Sequence, residues 1–164
     1  MLDEDCNPLE GATVAALGDN NTFKDSVSSG LGEAKFTFET LLKLRVLIAH
    51  PIRPGAIFPN WDPVDNLRAT LPASENIGSV ICHSTRYIPG LAGRLSPILG
   101  TSNRLYLCAD NIAIREGELQ PASYEVCVPF KLEDSNDVVM QVTVLHIQGR
   151  TSLVQYAHNR RSDA

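Results

Sequence analysis

The sequence predicts one all-β domain, an antiparallel two-sheet sandwich, and three observations carry that expectation. The first is a period of two over 35–50. Phe36, Phe38, Thr40, Leu42, Leu44, Val46 and Ile48 alternate with Lys35, Thr37, Glu39, Leu41, Lys43, Arg45 and Leu47. Side chains alternate across a strand, so this puts an apolar stripe on one face and mostly polar residues on the other. The second is punctuation by Gly, Pro and Asn, which cuts the chain into short apolar runs. The third is the lack of any helical i, i+3, i+4, i+7 stripe longer than about three turns.

The elements follow in order. Residues 1–11 are expected to form an extended or flexible lead-in, and Ser28-Ser29-Gly30-Leu31-Gly32 a loop. The 35–50 segment holds one long strand or two in series, closed by Pro51, Pro54 and Gly55. Ala56-Ile57-Phe58 is a short strand ended by Pro59-Asn60-Trp61-Asp62-Pro63, and loop or short helix runs on to Asn76. A strand lies around Ser79-Val80-Ile81-Cys82-His83, before Pro89-Gly90 and Gly93 break the chain. Further strands are expected over 104–108 and 112–115. Over 123–130 the alternation puts Tyr124, Val126, Val128 and Phe130 inward, and over 138–147 it aligns Met140, Val142 and Val144. Gly149-Arg150 turns the chain into a last strand over 152–158.

The chain has 164 residues, 43% apolar and 20% charged, which suits one core of ordinary size and a single domain over 1–164. Its longest apolar stretch, 41–49, is interrupted by Lys43 and Arg45 and is far shorter than a membrane span. The start, Met1-Leu2-Asp3-Glu4-Asp5, lacks the basic and apolar regions of a signal peptide. The net charge of −5 and the absence of a basic run disfavour tight nucleic-acid binding, leaving Arg150, Arg160 and Arg161 as a weak C-terminal patch. Four cysteines occur without C-x-x-C spacing. Cys82, Cys108 and Cys127 sit in strand-like segments and read as reduced, buried thiols of an intracellular protein.

Catalytic patterns are incomplete. Ser79 follows Gly78, but Ile81 stands where a nucleophile elbow needs its closing glycine. Cys82 and His83 are adjacent, so in a strand they point to opposite faces. His50, His83, His146 and His158 are scattered, and Gly90-Leu91-Ala92-Gly93 lacks the Lys and Ser/Thr of a phosphate loop. The reading is therefore not an enzyme, with no catalytic, cofactor-binding or metal-ligating set.

The segment Leu42-Lys43-Leu44-Arg45-Val46-Leu47-Ile48-Ala49-His50-Pro51-Ile52-Arg53-Pro54-Gly55-Ala56-Ile57-Phe58-Pro59 resembles the C and D strands of picorna-like virus (order Picornavirales) capsid proteins. Tyr124-Glu125-Val126-Cys127-Val128-Pro129-Phe130 is similar to that family's F strand, and 138–145 and 152–158 to its closing strands. The resemblance implies a jelly-roll sandwich, a structural coat subunit of an icosahedral shell around an RNA genome, found in the virion and, during assembly, in the host cytoplasm. Its partners would be other capsid chains, with weak or indirect RNA contact and no membrane. Apolar residues beside the prolines of 51–63 and 86–97 become candidate subunit-interface residues: Ile52, Ile57, Trp61, Ile88, Leu91 and Leu95. The alternative function is a β-sandwich binding module for carbohydrate or a protein partner.

Overall fold

The computed structural model describes residues 1–19, 23–38, 42–114 and 120–157. Among them the only helical element is a 3-10 turn at Thr101–Asn103; everything else regular is strand. The strands are β1 (Thr13–Leu17), β2 (Phe23–Val27), β3 (Leu44–His50), β4 (Arg53–Trp61), β5 (Ile77–His83), β6 (Arg86–Tyr87), β7 (Arg94–Leu99), β8 (Leu105–Asp110), β9 (Ile112–Ala113), β10 (Ala122–Ser123), β11 (Phe130–Asp134), β12 (Val139–Gln148) and β13 (Thr151–Ala157).

The all-β expectation stands, but the chain forms three antiparallel sheets rather than two. Their orders are β2-β1-β3-β4, β10-β8-β7-β6 and β5-β13-β12-β11-β9. Jelly-roll connectivity is a finer statement than these orders carry.

The sheets stack, and the five-stranded one lies in the middle. One of its faces gives Val80, Cys82, Val142, Val144, Val154 and Tyr156 to a core shared with Ile88, Leu95 and Leu107 of the β6–β8 side. Its other face gives Ile81 and Leu153 to a core shared with Ala15, Leu17, Leu47 and Ala49 of β1 and β3. The first sheet is also covered on its far side, where Val14, Val46 and Ile48 lie beneath Leu9, Ala12, Ala69 and Leu71. Strands covered on both faces lose strict alternation and read as nearly continuous apolar runs. This corrects the 35–50 reading. Leu44, Val46 and Ile48 are buried as the even stripe required, but Leu47 and Ala49 on the odd face are buried too. Arg45 stays polar because its guanidinium reaches Oε1 of Gln148 at 2.8 Å and Nε2 of His146 at 3.3 Å on β12.

Ser79 ties two layers together. Its buried hydroxyl accepts the His50 N–H at 2.9 Å and donates to the Arg53 carbonyl at 2.9 Å, bonds that hold it as a structural group. The lead-in is held as well. Leu2 exchanges backbone bonds with Ala69 and Leu71, both at 2.9 Å, and Glu4 pairs with Arg53 at 2.6 Å. Prolines 54 and 59 suit β4, an edge strand whose outer N–H groups need no ladder partner.

Two other sequence expectations change. The 123–130 strand is a turn between β10 and β11: Cys127 takes a left-handed conformation (φ 65°), and its N–H bonds the Val144 carbonyl at 2.9 Å. Tyr124 and Phe130 are buried as expected, whereas Val126 and Val128 are exposed. The strand β4 runs through Pro59 to Trp61, and residues 62–76 are loop, with no helix. Of the 152–158 strand, 151–157 is observed; His158, Arg160 and Arg161 lie outside the described residues, as do Glu39, Thr40, Leu41 and Arg115.

Candidate functional site

The six candidate interface residues divide. Ile88, Leu91 and Leu95 are buried in the core between the middle sheet and the β6–β8 sheet, so the chain's own packing occupies them and they do not line a rim. The sequence reading missed this because Pro89 and Gly90 mark a loop without showing which way its apolar side chains turn. Ile52 and Ile57 are exposed. Trp61 is half-buried: its Nε1 donates to the Asp65 carbonyl at 3.0 Å, and its ring meets Phe38 edge-on at 5.8 Å. These residues do not converge on one site.

Nor do the patterns weighed for catalysis. Cys82 faces the inner core, where burial pushes its thiol up to about 11. His83 points the other way, stacked on Phe23 at 4.3 Å with Nδ1 3.0 Å from the Thr151 hydroxyl. Among the described residues no group of three His, Cys, Asp or Glu comes together as a metal site would require. All four cysteines are free, and Cys127, expected inside, is exposed because its turn lifts it out of the strand path. A thiolate-directed reagent should therefore label Cys6 and Cys127 promptly in native protein and Cys82 only on unfolding. Rapid native labelling of Cys82, located by peptide mass, would contradict its place in the core.

Two histidines are held neutral. His50 donates from Nε2 to the Glu10 carbonyl at 3.0 Å and accepts the Ile52 N–H at Nδ1 at 3.3 Å. Burial, and then the Arg53 charge, lowers its pKa. His146 is lowered by burial and by Arg45. A histidine depressed in the fold takes up its proton more readily in the unfolded chain. Stability from both is thus complete above about pH 6.5 and declines as pH falls toward the folded-state values. Glu4 and Asp134 are carboxylates depressed by hydrogen bonds, and they act only at lower pH. The urea midpoint is expected to drop between pH 7.5 and 5.5, and to drop less in a His50→Gln, His146→Gln variant. A midpoint flat across this window would overturn the reading.

One concavity combines charge, aromatic surface and hydrogen-bonding groups. It is an open cleft of about 530 Å³, within the size range of small-molecule sites, formed where β8 meets the 123–128 turn. Arg104, Tyr106, Ser123, Tyr124, Glu125 and Val128 line it. Pairing of Ser123 with Tyr106 brings the two segments together, and the Tyr124 N–H bonds the Leu105 carbonyl at 3.3 Å. The turn wall is fixed to the middle sheet through Cys127 and Val144. Gly100 lies under the Tyr106 ring; a Cβ there would come within 3.1 Å of it. Tyr124 is 6% exposed, and its hydroxyl is buried with no hydrogen-bond partner among the described residues. Burial alone raises its pKa to about 12. A smaller hollow of about 320 Å³ beside Ser84, Pro97, Ile98 and Arg150 has neither a carboxylate nor an aromatic ring.

The sequence reading passed over the cleft. Its signal was the pairing of charged and aromatic residues at strand ends, Arg104 with Tyr106 and Tyr124 with Glu125, joined by a two-residue ladder that no periodicity shows.

Comparison with known proteins points away from a virus. The chain is 31% identical over 160 residues to the 3' cyclic ADP-D-ribose synthase AaTIR of Aquimarina amphilecti. The match takes in 98% of the chain and 49% of that protein, so the chain spans about half the length of the curated relative. No family model matches the chain, and no solved structure does. A relative that is a synthase overturns the coat-subunit reading, with its icosahedral shell and virion location, and overturns the expectation that the chain is not an enzyme. It gives no support to the alternative of a carbohydrate- or protein-binding module. The viral resemblance rested on alternating runs ending at prolines, a pattern any antiparallel sheet protein can produce.

Proposed function

We propose that the chain is part of an enzyme that makes a cyclic ADP-ribose from an ADP-ribosyl donor. The observation that supports this is the alignment of nearly the whole chain with a protein named for that product. The reaction has simple requirements. The bond from the anomeric carbon to its leaving base breaks, and the base takes the electron pair. A nucleophilic atom elsewhere in the same molecule bonds that carbon and sheds a proton to solvent. A protein helps by folding the donor so that its two ends meet, and by placing negative charge near the sugar as it becomes cationic.

The test is turnover. The purified protein is incubated with nicotinamide adenine dinucleotide, a donor whose leaving base is easily followed, and products are separated by mass. Free nicotinamide together with a species of the mass of cyclic ADP-ribose is the expected result. Recovery of intact dinucleotide after prolonged incubation at high enzyme concentration would overturn the proposal.

A further inference from the structure

We infer that the smaller hollow, beside the end of β7, is a binding site for a phosphate monoester with a short aliphatic body. The site does not depend on the function proposed above. Its construction follows from one short strand. β6 has two residues, pairing Arg86 with Leu95 and Tyr87 with Arg94, so residues 96–99 of β7 have no described strand beside them on that side. The chain leaves β5 at Ser84, which takes a left-handed conformation (φ 69°) and donates its N–H to the Arg150 carbonyl at 2.7 Å. That bond holds the β12–β13 turn against the approach to β6 and forms the far wall. The hollow so made measures about 320 Å³, at the lower end of small-molecule sites.

The lining sorts into two parts. Arg150, Ser84, Thr85 and Ser96 supply a guanidinium and three hydroxyls, and Pro97, Ile98 and Leu99 supply an apolar floor. No acidic side chain lines it, in a protein with 19 Asp and Glu residues. Arg45, Arg53, Arg86 and Arg94 are each engaged by the protein. The Arg150 guanidinium and the Ser84 and Ser96 hydroxyls have no such partner among the described residues, and the Thr85 hydroxyl only reaches the Leu95 carbonyl at 3.5 Å.

Donors gathered without an acceptor fit an anion, and their number selects which one. A guanidinium fork and three hydroxyls offer about five donors, more than the roughly four lone-pair sites of a carboxylate. A phosphate monoester brings three terminal oxygens and about 1.5–2 negative charges near neutral pH. The floor gives the rest of the ligand its character. Ile98 and Leu99 are 39% and 37% exposed, so an aliphatic body laid across them removes apolar surface from water on both sides.

The test is a titration of the whole, isotope-labelled protein with n-butyl phosphate, inorganic phosphate and butyrate, followed by amide chemical shifts. Saturable shifts with n-butyl phosphate, concentrated at residues 84–85, 96–99 and 149–150, are expected. Inorganic phosphate should bind at the same residues about tenfold more weakly, the equivalent of roughly two methylenes left unburied. Arg150→Gln should weaken n-butyl phosphate binding by about tenfold or more, and Ser96→Ala by about threefold. Arg104→Gln, which removes an unpaired guanidinium from the other cleft, should leave the affinity unchanged. Melting curves of the variants, expected to match the unaltered protein, separate lost binding from lost folding. Absence of saturable shifts at millimolar n-butyl phosphate overturns the site, as does unchanged affinity in Arg150→Gln. Butyrate binding as tightly as n-butyl phosphate overturns the choice of head group and the proposal with it.

Discussion

Leu47→Asp is expected to leave no soluble, folded protein. Leu47 is fully buried on the face of β3 that packs against Ile81 and Leu153 of the middle sheet, and the nearest cation on that face, Arg45, is already engaged by Gln148 and His146. Burying an unpaired carboxylate costs several kcal/mol, a large share of the roughly 5–15 kcal/mol that holds a domain of this size together. The substitution is informative because the period of two puts Leu47 on the polar face, where a charge would cost little. Soluble yield and circular dichroism decide it, with Ile52→Asp at the exposed β3–β4 turn as a control that should fold normally. A soluble Leu47→Asp protein with ordinary melting would mean that the first and middle sheets do not stack.

Gly78→Ala should be nearly as damaging, through one methyl group. Gly78 is the second residue of β5, and a Cβ there would overlap the Pro51 carbonyl and come within 2.6 Å of the Tyr156 ring and hydroxyl. Backbone cannot withdraw as a flexible side chain can. Tyr156 is also held, donating to that same Pro51 carbonyl at 2.9 Å and paired through its backbone with Gly78. The strain falls where the β3–β4 turn touches the middle sheet, so relief would require the layers to part. A loss of several kcal/mol in urea unfolding is expected, against about 0.5 kcal/mol or less for an ordinary surface change. A loss below about 1 kcal/mol would show that the turn can shift freely.

What could be read from the sequence depended on how many faces of a strand are covered. β12 showed its inner stripe plainly in Met140, Val142 and Val144, because the intervening Gln141 is exposed. β3 and β5 are covered on both faces, so their apolar runs marked strands without revealing a third layer. Over 123–130 the alternation was present, yet it did not produce a strand: Pro129 lacks an N–H, and the Cys127 amide goes across to β12 instead. The cleft lay beyond the sequence reading for a different reason. Its walls come from segments about twenty residues apart that meet through two paired residues.

The central place of β13 has a consequence for the chain during synthesis. Val80 of β5 pairs with Val154 of β13, and every strand of the other two sheets comes before β13 in the chain. Until β13 leaves the ribosome, β5 has no neighbour along its edge, and the middle sheet cannot close between its two covers. A nascent chain in that interval presents apolar strand faces that the finished domain hides, and loop closure over such a span is slow. Premature termination just short of Thr151 would thus release a polypeptide that has nearly all its strands and lacks the one they assemble around.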